Sequence, residues 1–411
     1  MKTKRFFVAV LAALLAVSAF AQDAKPQLKW YGFIRNYYAF DTRESVAGSE
    51  DFFYYLPKDT QKVGDTDLNA ETSMRFAALT SRLGVDIVGY EYEGLKVGAK
   101  IEGDFYCGLT GVTGTATFRL RQAYLTLAKD SWALKAGQAW HPLAADMPDI
   151  FSLNTGAPFG PFTRTPLVQF DAKFSDVVSL TAAALWQMQY VSAGPEGASA
   201  NYIKYGKTPE LYAGLNFKGE NTLFRVGVDM LSIKPRKNNG IAKVSDRITT
   251  ITPFFYAQYK KDLFAAKFKA VFAEDGSHMN LNGGYGISKV SNDGSCEYTP
   301  TRNFSTWASL SYGKKVQGVL FLGYAKNFGT KDELAGELYF SKNSFANLNQ
   351  MFRLTPTIIY NIGKVALGLE CEITSAQYGD KAKGMNAHGL YTEGLHNVTN
   401  CRLQGMLKYT F

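Results

Sequence analysis

The sequence predicts an all-β fold, a transmembrane antiparallel up-and-down β-barrel of sixteen strands. Three observations carry that prediction. Apolar and polar residues alternate with a period of two along most of the chain, the connections are short and long in turn, and the chain opens on an apolar leader. The 411 residues are 46% hydrophobic and 14% aromatic, which excludes disorder. Only one apolar run exceeds about ten residues, which excludes a helical membrane protein.

That run is at the start. Lys2, Lys4 and Arg5 precede the apolar stretch 6–17, and Ala19-Phe20-Ala21 supplies a small-x-small cleavage pattern. Residues 1–21 therefore read as a secretory signal peptide, too short for a membrane anchor, and residues 22–411 as the barrel. The mature chain is expected outside the cytoplasm, where disulfides are permitted.

Alternation is clearest at 95–106, where Leu95, Val97, Ala99, Ile101 and Phe105 share one face and Lys96, Lys100, Glu102 and Asp104 the other. It recurs in Phe264, Ala266, Phe268, Ala270 and Phe272 against Lys267 and Lys269, and in the closing Leu403-x-Gly-x-Leu-x-Tyr-x-Phe411. Taken in order, the expected strands are 28–39, 73–90, 95–106, 117–128, 132–140, 164–174, 176–190, 208–218, 221–232, 248–260, 262–274, 302–313, 315–327, 350–361, 363–376 and 398–411. Tight turns are expected near 91–94, 129–131, 175, 219–220, 261, 314 and 361–362, and long links between them. A soluble sandwich has no reason to gather its short turns at one end. A barrel crossing an outer membrane does, and lipid tolerates β-structure only when the sheet closes. Tyr31, Tyr90, Trp132, Trp140, Trp186, Tyr190, Tyr259, Tyr312, Tyr324, Tyr360 and Tyr409 fall near strand ends, where aromatic girdles sit at the membrane boundary. The links 45–67 and 276–299 read as solvated external loops.

Sixteen strands enclose an aqueous channel. The inward parity carries more bases than acids, among them Arg225, Arg353, Arg402 and Lys408 against Asp86, Asp229, Glu370 and Glu372, so the bore is expected to favour small anions. The link 141–163 holds four prolines and no strand pattern, yet Met147, Ile150, Phe151, Leu153, Phe159 and Phe162 need something to pack on. Folding inward would satisfy them and narrow the pore. The expected constriction is lined by Arg35, Arg82, Lys100, Glu102, Asp104, Arg119, Arg121, Asp146, Asp149 and Arg164, with Asp146, Asp149 and Arg164 facing Arg82, Arg119 and Arg121.

Several segments resemble a known family. Tyr31-Gly32-Phe33-Ile34-Arg35, Ser81-Arg82-Leu83-Gly84, Ala99-Lys100-Ile101-Glu102-Gly103-Asp104-Phe105, Arg119-Leu120-Arg121-Gln122-Ala123-Tyr124-Leu125, Ala136-Gly137-Gln138-x-Trp140 and Arg164-x-Pro166 are similar to the DcaP-like porins. More broadly they resemble the sixteen-stranded trimeric porins of Gram-negative outer membranes, over about residues 30–175. The resemblance implies a homotrimer passing small hydrophilic solutes, with dicarboxylates one class. The terminal Phe411 strand resembles the segment by which the barrel-assembly machinery recognises such chains.

Other chemistry finds little support. Four histidines show no metal spacing, His278, His388 and His396 fall in external links, and His141 opens the 141–163 link as an ordinary loop residue. Glu370 and Glu372 share a face as charge lining. No catalytic set, cofactor or metal site is expected, and no nucleic-acid surface. Cys107 and Cys296 fall in links, while Cys371 and Cys401 lie on the last two strands; pairing stays open. The reading is a passive outer-membrane porin in contact with lipid and small anionic solutes. The alternative is a non-conducting surface barrel whose loops bind a partner.

Overall fold

A computed structural model describes residues 26–108, 115–341 and 345–411. The expected signal segment lies outside the described residues. Sixteen strands form the wall: β1 (Gln27–Asp41), β2 (Arg82–Tyr92), β3 (Leu95–Phe105), β4 (Phe118–Lys129), β5 (Trp132–Trp140), β6 (Arg164–Lys173), β7 (Val178–Leu185), β8 (Glu210–Lys218), β9 (Thr222–Ile233), β10 (Ile248–Lys261), β11 (Phe264–Glu274), β12 (Cys296–Gly313), β13 (Val316–Thr330), β14 (Leu348–Ile362), β15 (Val365–Tyr378) and β16 (His396–Thr410). Each pairs antiparallel with its chain neighbours. β1 closes on β16, from Phe33 opposite Thr410 to Asp41 opposite Arg402. Every backbone ladder is thereby paired, the condition lipid imposes.

Alternation sets the two faces. On β14 Thr357 is 6% exposed and Ile358 51%, while on β15 Leu369 is 51% and Glu370 1%. The same outward apolar set continues through Leu403, Leu407 and Tyr409. An apolar surface of that extent is a lipid-facing belt. Tyr259, Tyr312, Tyr360 and Tyr409 sit on it as expected, but Tyr31, Trp140 and Tyr190 turn to the inner side, where their polar atoms or ring faces meet arginines, carboxylates or Tyr55.

The short turns gather at one end. Glu93 (φ 49°) and Gly94 (φ 77°) join β2 to β3 with the left-handed backbone that two-residue hairpins require. Both described termini lie there too, Gln27 opposite Val88 and Phe411 bonded to Gly32.

The structure corrects five boundaries. The second expected strand is two pieces: Ser73–Ala77 pairs with 37–41 of β1 and β2 with 27–33, separated by a turn at Thr80 (φ 66°). β7 stops at Leu185 because Gln187 exchanges bonds with Ser192 and draws the chain out of the ladder. The link 45–67 is not all solvated. Ser45–Gly48 and Phe53–Pro57 make a hairpin whose second strand is wholly buried, because four successive aromatics followed by Leu56 outweigh the acids around them. In the link 276–299, Gly284–Val290 extends the sheet with Tyr285 buried, and Cys296 begins β12 rather than a loop. His396 likewise begins β16. All four cysteines are free, with Cys371 and Cys401 sulfurs 3.2 Å apart on the outward face.

Candidate functional site

The inner face of β2, β3 and β4 is built from opposed charges at paired positions. Arg82 stands across from Asp104 in register, and Asp104 from Arg119. Arg121 donates Nε to Glu102 Oε1 and Nη1 to Asp104 Oδ2, both at 2.7 Å. Arg119 Nε reaches Asp104 Oδ1 at 2.7 Å, and Arg82 lies 3.7 Å from Glu102. Asp104 and Glu102 are buried beneath these guanidiniums, so they hold the arginines more than they meet solvent. Two carboxylates thus serve three arginines. Two more arginines adjoin with no acidic partner among the described residues: Arg35, bonded to Thr80, and Arg164, stacked on Trp140 at 4.7 Å. Aromatic faces carry this surplus, with Arg35 4.7 Å and Arg82 5.0 Å from Phe33 and Arg119 3.8 Å from Tyr106.

A cavity of about 460 Å³ opens in front of this wall. Arg35, Arg82, Arg119, Arg121 and Asp149 line it, with Lys408 of β16. Arg164 is 2% exposed and lies behind Trp140. Lys100 sits lower on the wall, bonded to Tyr31 at 3.0 Å and paired with Asp86 at 2.8 Å.

Among the described residues, the segment 141–163 bonds several inward-parity side chains of the wall. Lys269 donates to Leu143 O and Asp146 O at 2.8 and 2.9 Å, Phe151 N to Glu370 at 3.0 Å, and Asn154 to Glu372 at 2.6 Å. Tyr37 OH bonds Phe151 O at 2.8 Å, tying the segment to β1 as well. Phe159 fills space left by Gly323, where a Cβ would fall 2.5 Å from its ring. Asp149 pairs with Lys267 and Ser311, so its charge is spent on its own anchor although it lines the cavity. Asp146 turns away from Arg82, Arg119 and Arg121 and stands 3.6 Å from Arg225. Sequence parity located the arginines but not these pairings, because loop positions have no parity.

Three features escaped the sequence reading. The hairpin 45–57 packs beside 141–163, with Arg353 donating to Tyr55 O at 2.6 Å and to Ala157 O at 3.2 Å. Tyr55 and Tyr190 share a 2.9 Å hydroxyl contact there. Burial pushes the Tyr190 phenol up to about 12 and the Tyr55 phenol well above its ordinary value, so both stay neutral. The run of aromatics 52–55 was the available signal. The third is a buried cluster of His141, Glu210, Asp229 and His278. No spacing rule finds it, since its members come from four separate elements.

Comparison with known proteins agrees with this geometry. Residues 17–165 match the model of the DcaP outer membrane protein family. No curated protein matches the sequence. Among solved structures, the outer membrane channel DcaP of Acinetobacter baumannii superposes with a TM-score of 0.68 at 18% identity, covering 96% of this chain and 100% of that one. An anion-selective porin from Comamonas acidovorans follows at 0.55 and 12%, covering 94% and 100%. OmpT of Vibrio cholerae, in its trimer form, gives 0.52 and 11%, covering 94% and 99%. At these identities the superpositions establish the fold. The apolar belt and the match of residues 17–165 to an outer-membrane protein family place this barrel in the outer membrane.

Proposed function

We propose that this outer-membrane porin passes small hydrophilic solutes by passive diffusion and prefers anions, dicarboxylates among them. One observation carries the preference. The cavity is lined by Arg35, Arg82, Arg119, Arg121 and Lys408, held against Glu102 and Asp104, while the nearby Asp149 is neutralised by Lys267. In a narrow, water-filled bore with low-dielectric walls such a surplus concentrates anions and repels cations. Paired guanidiniums along a wall also suit the planar fork of a carboxylate. The segment 141–163 is the steric element of the constriction. The working unit is a homotrimer, residues 1–21 are the export signal, and residues 22–411 are the barrel.

Planar-bilayer recording tests this. In a KCl gradient the wild type should give an anion-selective reversal potential. Replacing Arg119 and Arg121 by Ala removes two charges, each worth roughly 0.4 kcal/mol to an ion about 10 Å away in water-like dielectric. After screening at 0.1 M salt, the anion-to-cation permeability ratio should fall about threefold. An unchanged reversal potential removes the assignment. Closure in three conductance steps supports the trimer. Electrical silence would instead favour the non-conducting surface barrel, a reading for which the burial of 53–57 in the bore speaks.

A further inference from the structure

We propose that Glu210, Asp229 and His278 form a binding site for one divalent transition-metal ion of the Zn²⁺ class, positioned by His141, at the root of the constriction segment. Glu210 opens β8 and Asp229 lies on the neighbouring β9. His278 sits in the turn Ser277–Met279 after β11, and His141 caps the turn Pro142–Ala144 that begins the constriction segment. All four are at most 2% exposed.

The cluster is poorly satisfied as it stands. Glu210 Oε2, Asp229 Oδ1 and both ring nitrogens of His278 are buried without hydrogen-bond partners. His278 Nε2 lies 3.2 Å from Glu210 Oε1 and 3.8 Å from Asp229 Oδ2 and makes a hydrogen bond to neither. A nitrogen aimed between two carboxylates without bonding them is placed as a metal ligand is placed. Bonds of about 2.0–2.1 Å in a tetrahedral shell hold neighbouring donors roughly 3.4 Å apart, close to the spacing found.

His141 plays a different part. Its Nδ1 accepts from Leu143 N at 3.1 Å, so that nitrogen carries a lone pair and the proton sits on Nε2. Nε2–H then donates to Glu210 Oε1 at 2.8 Å and orients the carboxylate. Two carboxylates buried side by side are costly without a counter-charge, and a divalent cation between them supplies it. Asp275 adds a further unpartnered buried oxygen within electrostatic reach of His278 and Glu210. One imidazole nitrogen with carboxylate oxygens suits a Zn²⁺-class ion, whereas Ca²⁺ and Mg²⁺ favour all-oxygen shells. The bound ion would tie the entry of 141–163 to β8, β9 and the turn after β11.

The test uses the full barrel in detergent, stripped with chelator and titrated with Zn²⁺ alone, with Co²⁺ as the optical probe. Wild type should take up one ion per chain and show the ligand-field absorption of a low-coordinate Co²⁺ site. Glu210→Gln, Asp229→Asn and His278→Ala should each lose it while keeping heat-modifiable mobility. His141→Ala should weaken binding about 10- to 100-fold, and His141→Gln, which keeps an N–H donor, should restore most of it. His388→Ala and His396→Ala should bind as wild type. No uptake by the wild type overturns the proposal, and so does uptake lost in the His388 or His396 variants but kept in Glu210→Gln and Asp229→Asn. The wild-type titration and Co²⁺ spectrum decide the matter even where a variant does not fold.

Discussion

The two sides of the inner wall carry similar charges and use them differently. On β2–β4, Arg82 and Arg119 keep 22% and 24% of their side chains exposed and look onto the cavity. On β14–β16, Arg353, Glu372 and Arg402 are fully covered by the hairpin 45–57 and the segment 141–163. Arg353 bonds Thr374, Glu372, Ala157 O and Tyr55 O, with Tyr54 and Phe159 over its face. Arg402 closes the barrel seam against Asp41. An inward charge in a barrel is therefore a channel charge only where no loop lies on it. Under a loop it is an anchor.

The sharpest way to break that contrast is Arg353→Ala. It leaves Glu372 buried and short of its counter-charge and frees two loop carbonyls, a loss of about 3–5 kcal/mol. Thermal unfolding in detergent should show it, together with larger and noisier conductance as both inner segments loosen. Arg119→Ala, on the open side, should cost clearly less than Arg353→Ala, because Asp104 keeps Arg121 as its counter-charge. Equal losses at the two sites would erase the distinction.

That contrast also marks how far the sequence could be read. Period-two alternation with seven short turns is a backbone property, so all sixteen strands were legible. So was the inward parity that carries Arg35, Arg82, Arg119 and Arg121. The covering of Arg353 and Arg402 was not, because it depends on where 53–57 lands, and a loop's landing place follows from three-dimensional fit. The link 45–67 was read as solvated, although it carries Phe52, Phe53, Tyr54 and Tyr55, which the structure buries. The same limit hid the His141 cluster and sent Asp146 to Arg225. Parity fixes direction along a strand and is silent one residue beyond its end.

Gly323→Ala sharpens the comparison from the covered side. Its backbone tolerates a side chain, but the added Cβ would fall 2.5 Å from the Phe159 ring. Phe159 is fully buried against Phe321 and Arg353, so it has no empty space to retreat into. Displacing it should cost roughly 1–3 kcal/mol by melting, with the barrel ladder intact by circular dichroism. A melting temperature equal to wild type would mean that 141–163 is not held by this contact.

The smallest expected effect is on the open side and is electrical. Glu102→Gln with Asp104→Asn removes the two acids beneath the arginines and keeps their shape. Arg82, Arg119 and Arg121 then face the cavity without compensation. By the arithmetic that lowers selectivity when two arginines are removed, the anion-to-cation ratio should rise about threefold at 0.1 M salt. At 1 M salt the Debye length is about 3 Å and the gain should nearly vanish. This pair separates two roles for the carboxylates. If they only dilute the positive field, selectivity rises as stated. If they chiefly hold the guanidiniums in place, released arginines collapse onto Phe33, Tyr106 and Trp140, and selectivity falls despite the lost negative charge.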